Sequence, residues 1–303
     1  MPAKFINNLH WSGSNLQIAL LLLFFSKTIA VGQNIPFNFN NPDRQMTLDS
    51  QLQEISGISM YKNDTTLLAI QDESGTVFTI SGNTGAILKK TEFTGKGDFE
   101  DIQYASPFVF ANKSNGSIFQ LDASTFKLIK SFESGLEKLN DVEGMFYSST
   151  DNSLLLACKG PKDQNPGSEN ARLVFRYDLK AGRLIEKPIF HFTKDAFIEF
   201  VSKQQDTREN LDLKANYNNN VPEFSFGPSA IAQDPITKNY YILSSAGKVL
   251  VVVKPNGEMV DIIKLHKKIY LQPEGLSFDS KGNLYIASEG KKKVATLSFH
   301  KRL

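Results

Sequence analysis

The chain has 303 residues, of which 41% are hydrophobic, so it is long and apolar enough to fold as one large or two ordinary domains, and its composition argues against disorder. Its 23 Phe and 9 Tyr residues favour β-structure, because aromatic side chains pack well on a pleated surface. The formal net charge of +2 and the lack of long basic runs argue against a nucleic-acid partner.

Residues 1–33 are predicted to form a signal peptide and leader. A lysine at position 4 precedes the apolar run IALLLLFF, and small residues surround Ala30, an order that predicts cleavage after Ala30 and export of the mature protein. The alternative is an uncleaved membrane anchor, for which the stretch from Leu16 to Val31 is short and is interrupted by Lys27.

One sequence pattern recurs five times between residues 50 and 303, at a spacing of about 44 residues that doubles once to about 86. Each copy continues with two further apolar runs, and turn residues such as GNTG at 82–85 separate the third run from a fourth. Four short antiparallel strands per repeat predict an all-β fold, a five-bladed β-propeller. The predicted innermost strands are EISGISM (Glu54–Met60), DFEDIQY (Asp98–Tyr104), DVEGMFY (Asp141–Tyr147), GPSAIAQ (Gly227–Gln233) and QPEGLSF (Gln272–Phe278).

The last repeat has only three strands before the chain reaches Leu303. A strand at Arg44–Leu48, inside a linker over residues 34–49, is predicted to complete it. Such closure would join the first and last blades and cover sheet edges that could otherwise pair with other chains.

The doubled spacing leaves a six-bladed propeller as the alternative. Residues 193–226, however, contain no glycine and no repeat signature, with helical spacing over 194–206 and loop-like composition over 213–221. We therefore predict five blades and an insertion at 193–226. The insertion leads directly into an inner strand, so we expect it beside a mouth of the channel, as a lid or a partner surface.

Nucleophilic and zinc chemistry find little support. The single cysteine, Cys158, allows no intramolecular disulfide, and its neighbours LLLA predict a small buried apolar side chain. His191, His266 and His300 are isolated in the sequence and predict no zinc cluster. Catalytic residues are left unassigned, because no motif pairs a nucleophile with a base.

The repeat predicts rings of polar residues, because the first strand of every propeller blade lines the central channel. One ring, at the third place of each inner strand, contains Ser56, Glu100, Glu143, Ser229 and Glu274. Two residues earlier, on the same face because side chains alternate, stand Glu54, Asp98, Asp141, Gly227 and Gln272. The ends of the second strands contribute Asp72, Lys113, Lys159, Ser245 and Glu289.

So many carboxylates would repel one another if they were dry and unpaired. Raised pKa values, neutralisation by Lys113 and Lys159, or a bound cation would relieve the repulsion. Calcium fits, because it accepts six to eight oxygen ligands in flexible geometry. The alternative is a solvated acidic channel mouth that the two lysines balance.

The ordered motifs EISGIS, GDFEDI, NDVEGM, GPSAIAQDPITKNYYILSSAGKVLVVV and QPEGLSFDSKGNLYIASEGKK resemble the SdiA-regulated family of exported bacterial propellers, across roughly residues 50–300. The resemblance implies five blades, a distant relation to NHL-repeat propellers, a calcium site and location in the periplasm or at the cell surface. The acids inside the matching motifs that could ligate calcium are Glu100, Asp141, Glu143 and Glu274, followed by Asp72 and Glu289.

These observations leave two classes of function open. The first is a calcium-binding module or scaffold that holds an unidentified small molecule or protein at a channel mouth, with membrane contact only if the N-terminal segment stays attached. The second is a calcium-dependent hydrolase of phosphate esters or lactones, since LNDVEGM is similar to a segment of β-propeller phytases.

Overall fold

A computed structural model describes residues 35–303, which form five sheets of four antiparallel strands each. The prediction of a five-bladed β-propeller is confirmed, and the six-bladed alternative is wrong. The predicted signal peptide and its cleavage site lie outside the described residues.

The elements follow the repeat closely. In chain order they are β1 (Arg44–Thr47), β2 (Ile55–Tyr61), β3 (Asn63–Gln71), β4 (Ser74–Ser81), β5 (Ile87–Lys96), β6 (Phe99–Ala105), β7 (Phe108–Lys113), β8 (Ser117–Asp122), β9 (Leu128–Glu133), β10 (Val142–Ser148), β11 (Ser153–Cys158), β12 (Ala171–Asp178), β13 (Arg183–Thr193), α1 (Lys194–Ser202), α2 (Arg208–Asn216), β14 (Pro228–Gln233), β15 (Tyr240–Ser244), β16 (Val249–Val253), β17 (Met259–Lys264), β18 (Gln272–Phe278), β19 (Leu284–Glu289) and β20 (Thr296–His300). The inner strands β2, β6, β10, β14 and β18 contact one another in sequence and close the circle between β18 and β2. They therefore surround the channel.

The N-terminal strand closes the propeller as predicted. β1 pairs with β20 in antiparallel register, with Arg44 opposite Phe299 and Thr47 opposite Thr296. The segment before β1 is also held, because Phe37 and Phe39 are buried in the core of blades four and five.

A buried histidine fixes the same segment. The Nε2 atom of His300 lies 2.8 Å from the Tyr270 hydroxyl, and its Nδ1 atom lies 3.2 Å from the Asn38 carbonyl oxygen. The Tyr270 hydroxyl also donates to the Phe39 carbonyl oxygen at 3.0 Å. Burial lowers the pKa of His300 to about 4, so this side chain is neutral at physiological pH.

Every inner strand contains a β-bulge at the same place. In blade three, Val142 lies opposite Cys158 while Gly144 lies opposite Ala157, so Glu143 has no partner on β11. The same register shift leaves one residue unpaired in each of the other inner strands. The five bulged residues are Ser56, Glu100, Glu143, Ser229 and Glu274. A bulge redirects a side chain locally, so the predicted ring consists entirely of redirected residues.

In blades one, three and five the residue after the bulge is a glycine that lies against the next inner strand. A Cβ atom on Gly57 would stand 2.4 Å from Asp101 Oδ1, and one on Gly144 would stand 3.0 Å from the Ala230 Cα atom. Glycine is therefore required by space rather than by backbone angle at these positions.

Blade two places a carboxylate, Asp101, at this same position. Its side chain is 2% exposed, and its Oδ1 and Oδ2 atoms accept hydrogen bonds from the backbone N–H groups of Ile102 at 2.7 Å and Met145 at 2.8 Å. Burial raises the pKa of Asp101, an effect that these two hydrogen bonds oppose. Asp101 thus joins blade two to blade three, a role that the sequence analysis did not anticipate.

Two short helices lie between β13 and β14. The hydroxyl oxygens of Thr193 and Thr207 cap α1 and α2 by accepting from the backbone N–H groups three residues later, at 3.2 Å each. The prediction of a loop over 213–221 is wrong at its start, because 213–216 form the last turn of α2. Within residues 35–303, neither helix has the length and apolarity needed to cross a membrane.

The spacing at the bulges generates a stability prediction. Replacing Gly57 with alanine should lower the free energy of unfolding by about 1–3 kcal/mol, because the new methyl group overlaps Asp101. Gly95→Ala on β5 is the matched control, since nothing lies within 4 Å of its Cβ position. Urea denaturation of the three proteins measures the difference; equal stability of both variants would contradict the packing argument.

Candidate functional site

The candidate acids gather at one end of the channel. Within each blade the inner strand begins where its antiparallel neighbour ends, so residues before inner strands and after second strands share that end. We call this group the acidic mouth; it contains Glu54, Asp72, Asp98, Glu100, Asp141, Glu143, Glu274 and Glu289.

Lys159 is paired with acids of the mouth. Its Nζ atom donates to Glu143 Oε1 at 2.6 Å and lies 3.9 Å from Asp141 Oδ2. Burial raises the pKa of Glu143 to about 7, and the Glu274 charge adds to this while Lys159 opposes it. Burial disfavours the charged form of Lys159, but Glu143 and Asp141 outweigh that effect and raise the pKa of the ammonium group.

Lys113 does not neutralise the mouth, although the sequence analysis offered it for that role. Its ammonium group lies over two aromatic rings, 4.8 Å from the centre of Phe99 and 5.4 Å from that of Phe119. Among the described residues it forms no ion pair. The predicted ring position of Lys113 is wrong by one residue, because Lys113 is paired with Phe99 as Cys158 is paired with Val142, so Ser114 is the counterpart of Lys159. Side chains alternate along a strand, and Lys113 therefore lies on the face opposite to that of Lys159.

Glu100 is the least compensated acid of the site. No hydrogen bond or ion pair to its carboxyl group occurs within residues 35–303. Burial and the nearby charges of Glu143, Asp98 and Asp141 raise its pKa to about 10. Glu100 is therefore protonated at neutral pH in the absence of a cation.

A second group of acids surrounds Asp72. Its Oδ1 atom is buried without a hydrogen-bond partner in the described part of the chain. Burial raises the pKa of Asp72 to about 6, and the charges of Glu54, Glu73 and Glu289 add to this effect. Glu289 in turn accepts a hydrogen bond from the Gln272 side chain.

Glu274 completes the bulged acids. Burial raises its pKa, while side-chain hydrogen bonds with Gln272, Ser245 and Ser229 and the charge of Lys159 lower it. The two bulged serines also bond to backbone, since Ser56 donates to the Glu54 carbonyl oxygen at 3.4 Å and Ser229 to that of Pro273 at 3.0 Å. The carboxyl groups of Glu100, Glu143 and Glu274 thus remain as the charged members of the ring.

The residue types fit calcium, whose preferred ligands are carboxylate and other oxygen atoms. The orphaned Asp72 oxygen and the unpartnered Glu100 carboxyl group are donors without a counterpart. Across residues 35–303, no three His, Cys, Asp or Glu side chains stand at metal-ligating geometry. Ligation would therefore require carboxyl groups of the mouth to turn toward one another.

Cys158 lies near the mouth but offers no nucleophile. It is 2% exposed, and burial raises its pKa to about 12, with the Asp141 charge adding to the effect. The prediction of a buried apolar cysteine is confirmed.

Two acids outside the six candidate ligands also act on the site. Glu54 and Asp98 were assigned to a ring but not to the candidate ligand set, yet Glu54 acts on Asp72 and Asp98 acts on Glu100. Glu54 and Asp98 each stand two residues before a bulged residue, and this spacing in the sequence could have identified both.

The chain belongs to the SdiA-regulated family, whose model matches residues 38–166 and 192–292. All six candidate acids lie within these two ranges. Among curated proteins, none matches the sequence.

Solved structures resemble the chain in fold. Glutaminyl cyclase of Myxococcus xanthus matches at a TM-score of 0.55 and 9% identity, covering 86% of this chain and 95% of its own. Hydrazine synthase of Kuenenia stuttgartiensis matches at 0.48 and 13%, covering 80% and 83%, and the nidogen/laminin complex at 0.47 and 12%, covering 77% and 72%. At these identities the likeness concerns the fold alone.

The Lys159 ion pair generates a prediction about protonation. Lys159→Met should raise the pKa of Glu143 from about 7 by about 1–3 units, because burial would remain while the nearest opposite charge is lost. Carboxyl-carbon NMR titration measures the shift. Lys113→Met is the matched control and should leave Glu143 unchanged, since Lys113 lies over Phe99 and Phe119; an unchanged value in Lys159→Met would contradict the assigned cause.

Proposed function

We propose that the protein is an exported calcium-binding propeller that acts as a binding or scaffold module, with the acidic mouth as its metal site. The observation that carries the proposal is Glu100, a partly buried carboxyl group with no partner among the described residues and a pKa of about 10. A cation near Glu100 would offset the charges of Glu143, Asp98 and Asp141 and allow the carboxyl group to ionise.

Two groups of residues offer oxygen ligands for calcium. The first group surrounds the bulges and contains Glu100, Glu143 and Glu274, with Asp141 beside them. The second group contains Asp72 and Glu289, and a cation there would offset the negative charges that raise the pKa of Asp72. When bound, calcium supplies positive charge and open coordination positions for oxygen atoms of a ligand at the mouth.

Protonation couples metal binding to pH. Asp72 and Glu143 have raised pKa values of about 6 and about 7, so each binds a proton more tightly in the folded protein than in the unfolded chain. Their contribution to stability is therefore full below pH 4 and is lost as pH rises through these folded values. A cation would displace the protons, so it should stabilise the fold more at higher pH.

Calcium binding is tested by thermal unfolding of the full chain. Millimolar calcium should raise the melting temperature by several degrees, more at pH 8 than at pH 6, and magnesium should do less because it demands stricter geometry. Glu100→Gln should abolish most of the shift, whereas Glu92→Gln, an exposed change on β5, should preserve it. No calcium-dependent shift in the unmodified chain would refute the metal proposal.

The pKa of Glu143 favours calcium-dependent hydrolysis as the second candidate. In the metal-free protein this pKa is about 7, so the Glu143 carboxylate is suited to accept a proton from water near neutral pH. Glu100, which a nearby cation would ionise, would serve as a calcium ligand while Glu143 acts as the base in the hydrolysis of a phosphate ester or lactone.

The hydrolase candidate predicts a specific pattern of loss. Assays with phytate, a simple phosphoester and a lactone, each with calcium or with a chelator, should show calcium-dependent turnover that rises as Glu143 loses its proton near pH 7. Glu143→Gln and Glu100→Gln should each lower the rate about 100-fold or more, and Glu92→Gln should not. Calcium binding without turnover of any substrate would leave the binding module as the function.

A further inference from the structure

A cavity of about 780 Å3 lies between α2 and the connection from β17 to β18. Its walls carry five Lys or Arg side chains, Arg208, Lys248, Lys264, Lys267 and Lys268, against two acids, Glu209 and Asp212. Leu265 and Ile269 add an apolar surface. The volume and the mixture of apolar and polar walls are typical of a pocket for a small molecule. We call it the lysine cavity.

The cations of the lysine cavity are close enough to disfavour one another. Burial lowers the pKa of Lys248, and the charges of Lys291 and Lys267 lower it further. Burial likewise lowers the pKa of Lys264, and the charges of Lys248 and Lys267 lower it further, while the charge of Asp212 opposes them. An anion inside the cavity would relieve this repulsion.

Few acceptors within the protein satisfy these ammonium groups. Lys264 donates to the Gly247 carbonyl oxygen. In the part of the chain that the structure describes, neither the Lys248 nor the Lys267 ammonium group has a hydrogen bond or an ion pair.

The lysine cavity adjoins the acidic mouth. β13 ends and β14 begins at the same end of the propeller as the mouth, so the helices between them lie at that end. The charge of Glu274 also raises the pKa of Lys248. A ligand in the cavity would therefore lie at the same end of the propeller as a cation held at the mouth.

We infer that the lysine cavity binds the phosphate group of a small soluble phosphorylated molecule. Lysine ammonium groups bind phosphate as point charges, and several of them can surround its oxygen atoms. The apolar wall accommodates the part of the ligand that carries the phosphate. The inference extends the proposed binding function by naming a ligand class, but phosphate binding in the lysine cavity does not require calcium.

Calorimetric titration with pyrophosphate and with a sugar phosphate, in a calcium chelator and at constant ionic strength, tests the inference on the full chain. Saturable binding is expected for both, and the double variant Lys248→Gln/Lys267→Gln should weaken it about tenfold or more. Lys180→Gln/Lys281→Gln is the matched control, with the same change in charge at exposed positions outside the cavity. Lys248→Arg/Lys267→Arg should retain binding, which separates loss of charge from loss of fold.

Three results would overturn the inference: no saturable binding by the unmodified chain, equal weakening by both glutamine variants, or binding only to vesicles that contain phosphatidylglycerol. The last would assign the cavity to a lipid surface rather than to a soluble phosphate. Because phosphate is titrated without calcium and calcium without phosphate, failure of the cavity and failure of the metal proposal are distinguishable.

Discussion

The close approach of the five inner strands at their bulges is the constraint on which the rest of the molecule depends. At this level the backbone of one blade lies against the next, so Gly57 has no room for a side chain, and a Cβ atom on Gly144 or Gly275 would lie 3.0 Å from the neighbouring strand. The preceding residue, unpaired on the bulge, is the one that can turn toward the channel. Packing between blades and the position of the ring acids therefore have the same origin.

Asp101 and Glu100 show how that constraint divides the carboxylates into two kinds. Asp101 is held by two backbone N–H groups and joins blades, so its charge is offset by hydrogen bonds. Glu100, the adjacent residue, has no such donors within the described chain and carries a pKa of about 10. Of these two adjacent acids, Asp101 thus contributes to stability and Glu100 to the candidate site.

The repeat made the fold predictable, because a spacing near 44 residues and paired apolar runs leave few architectures. The bulges were not predictable, since they depend on register between strands. The direction of the two lysines also depended on register: Lys113 is paired with Phe99 and lies over its ring, whereas Lys159 follows Cys158, the residue paired with Val142, and turns to Glu143. The lysine cavity joins residues about 60 positions apart, which no local pattern connects.

Because β1 pairs with β20, the propeller can close only after β20 has been synthesised. Phe37 and Phe39 pack among residues of blades four and five, and β1 pairs with the C-terminal strand β20. Because a ribosome delivers the chain from its N-terminus, this first segment cannot complete its native contacts until the last strand, Thr296–His300, has emerged. The earliest residues of the domain to be synthesised are thus among the last to settle, and a chain truncated before β20 would leave them exposed.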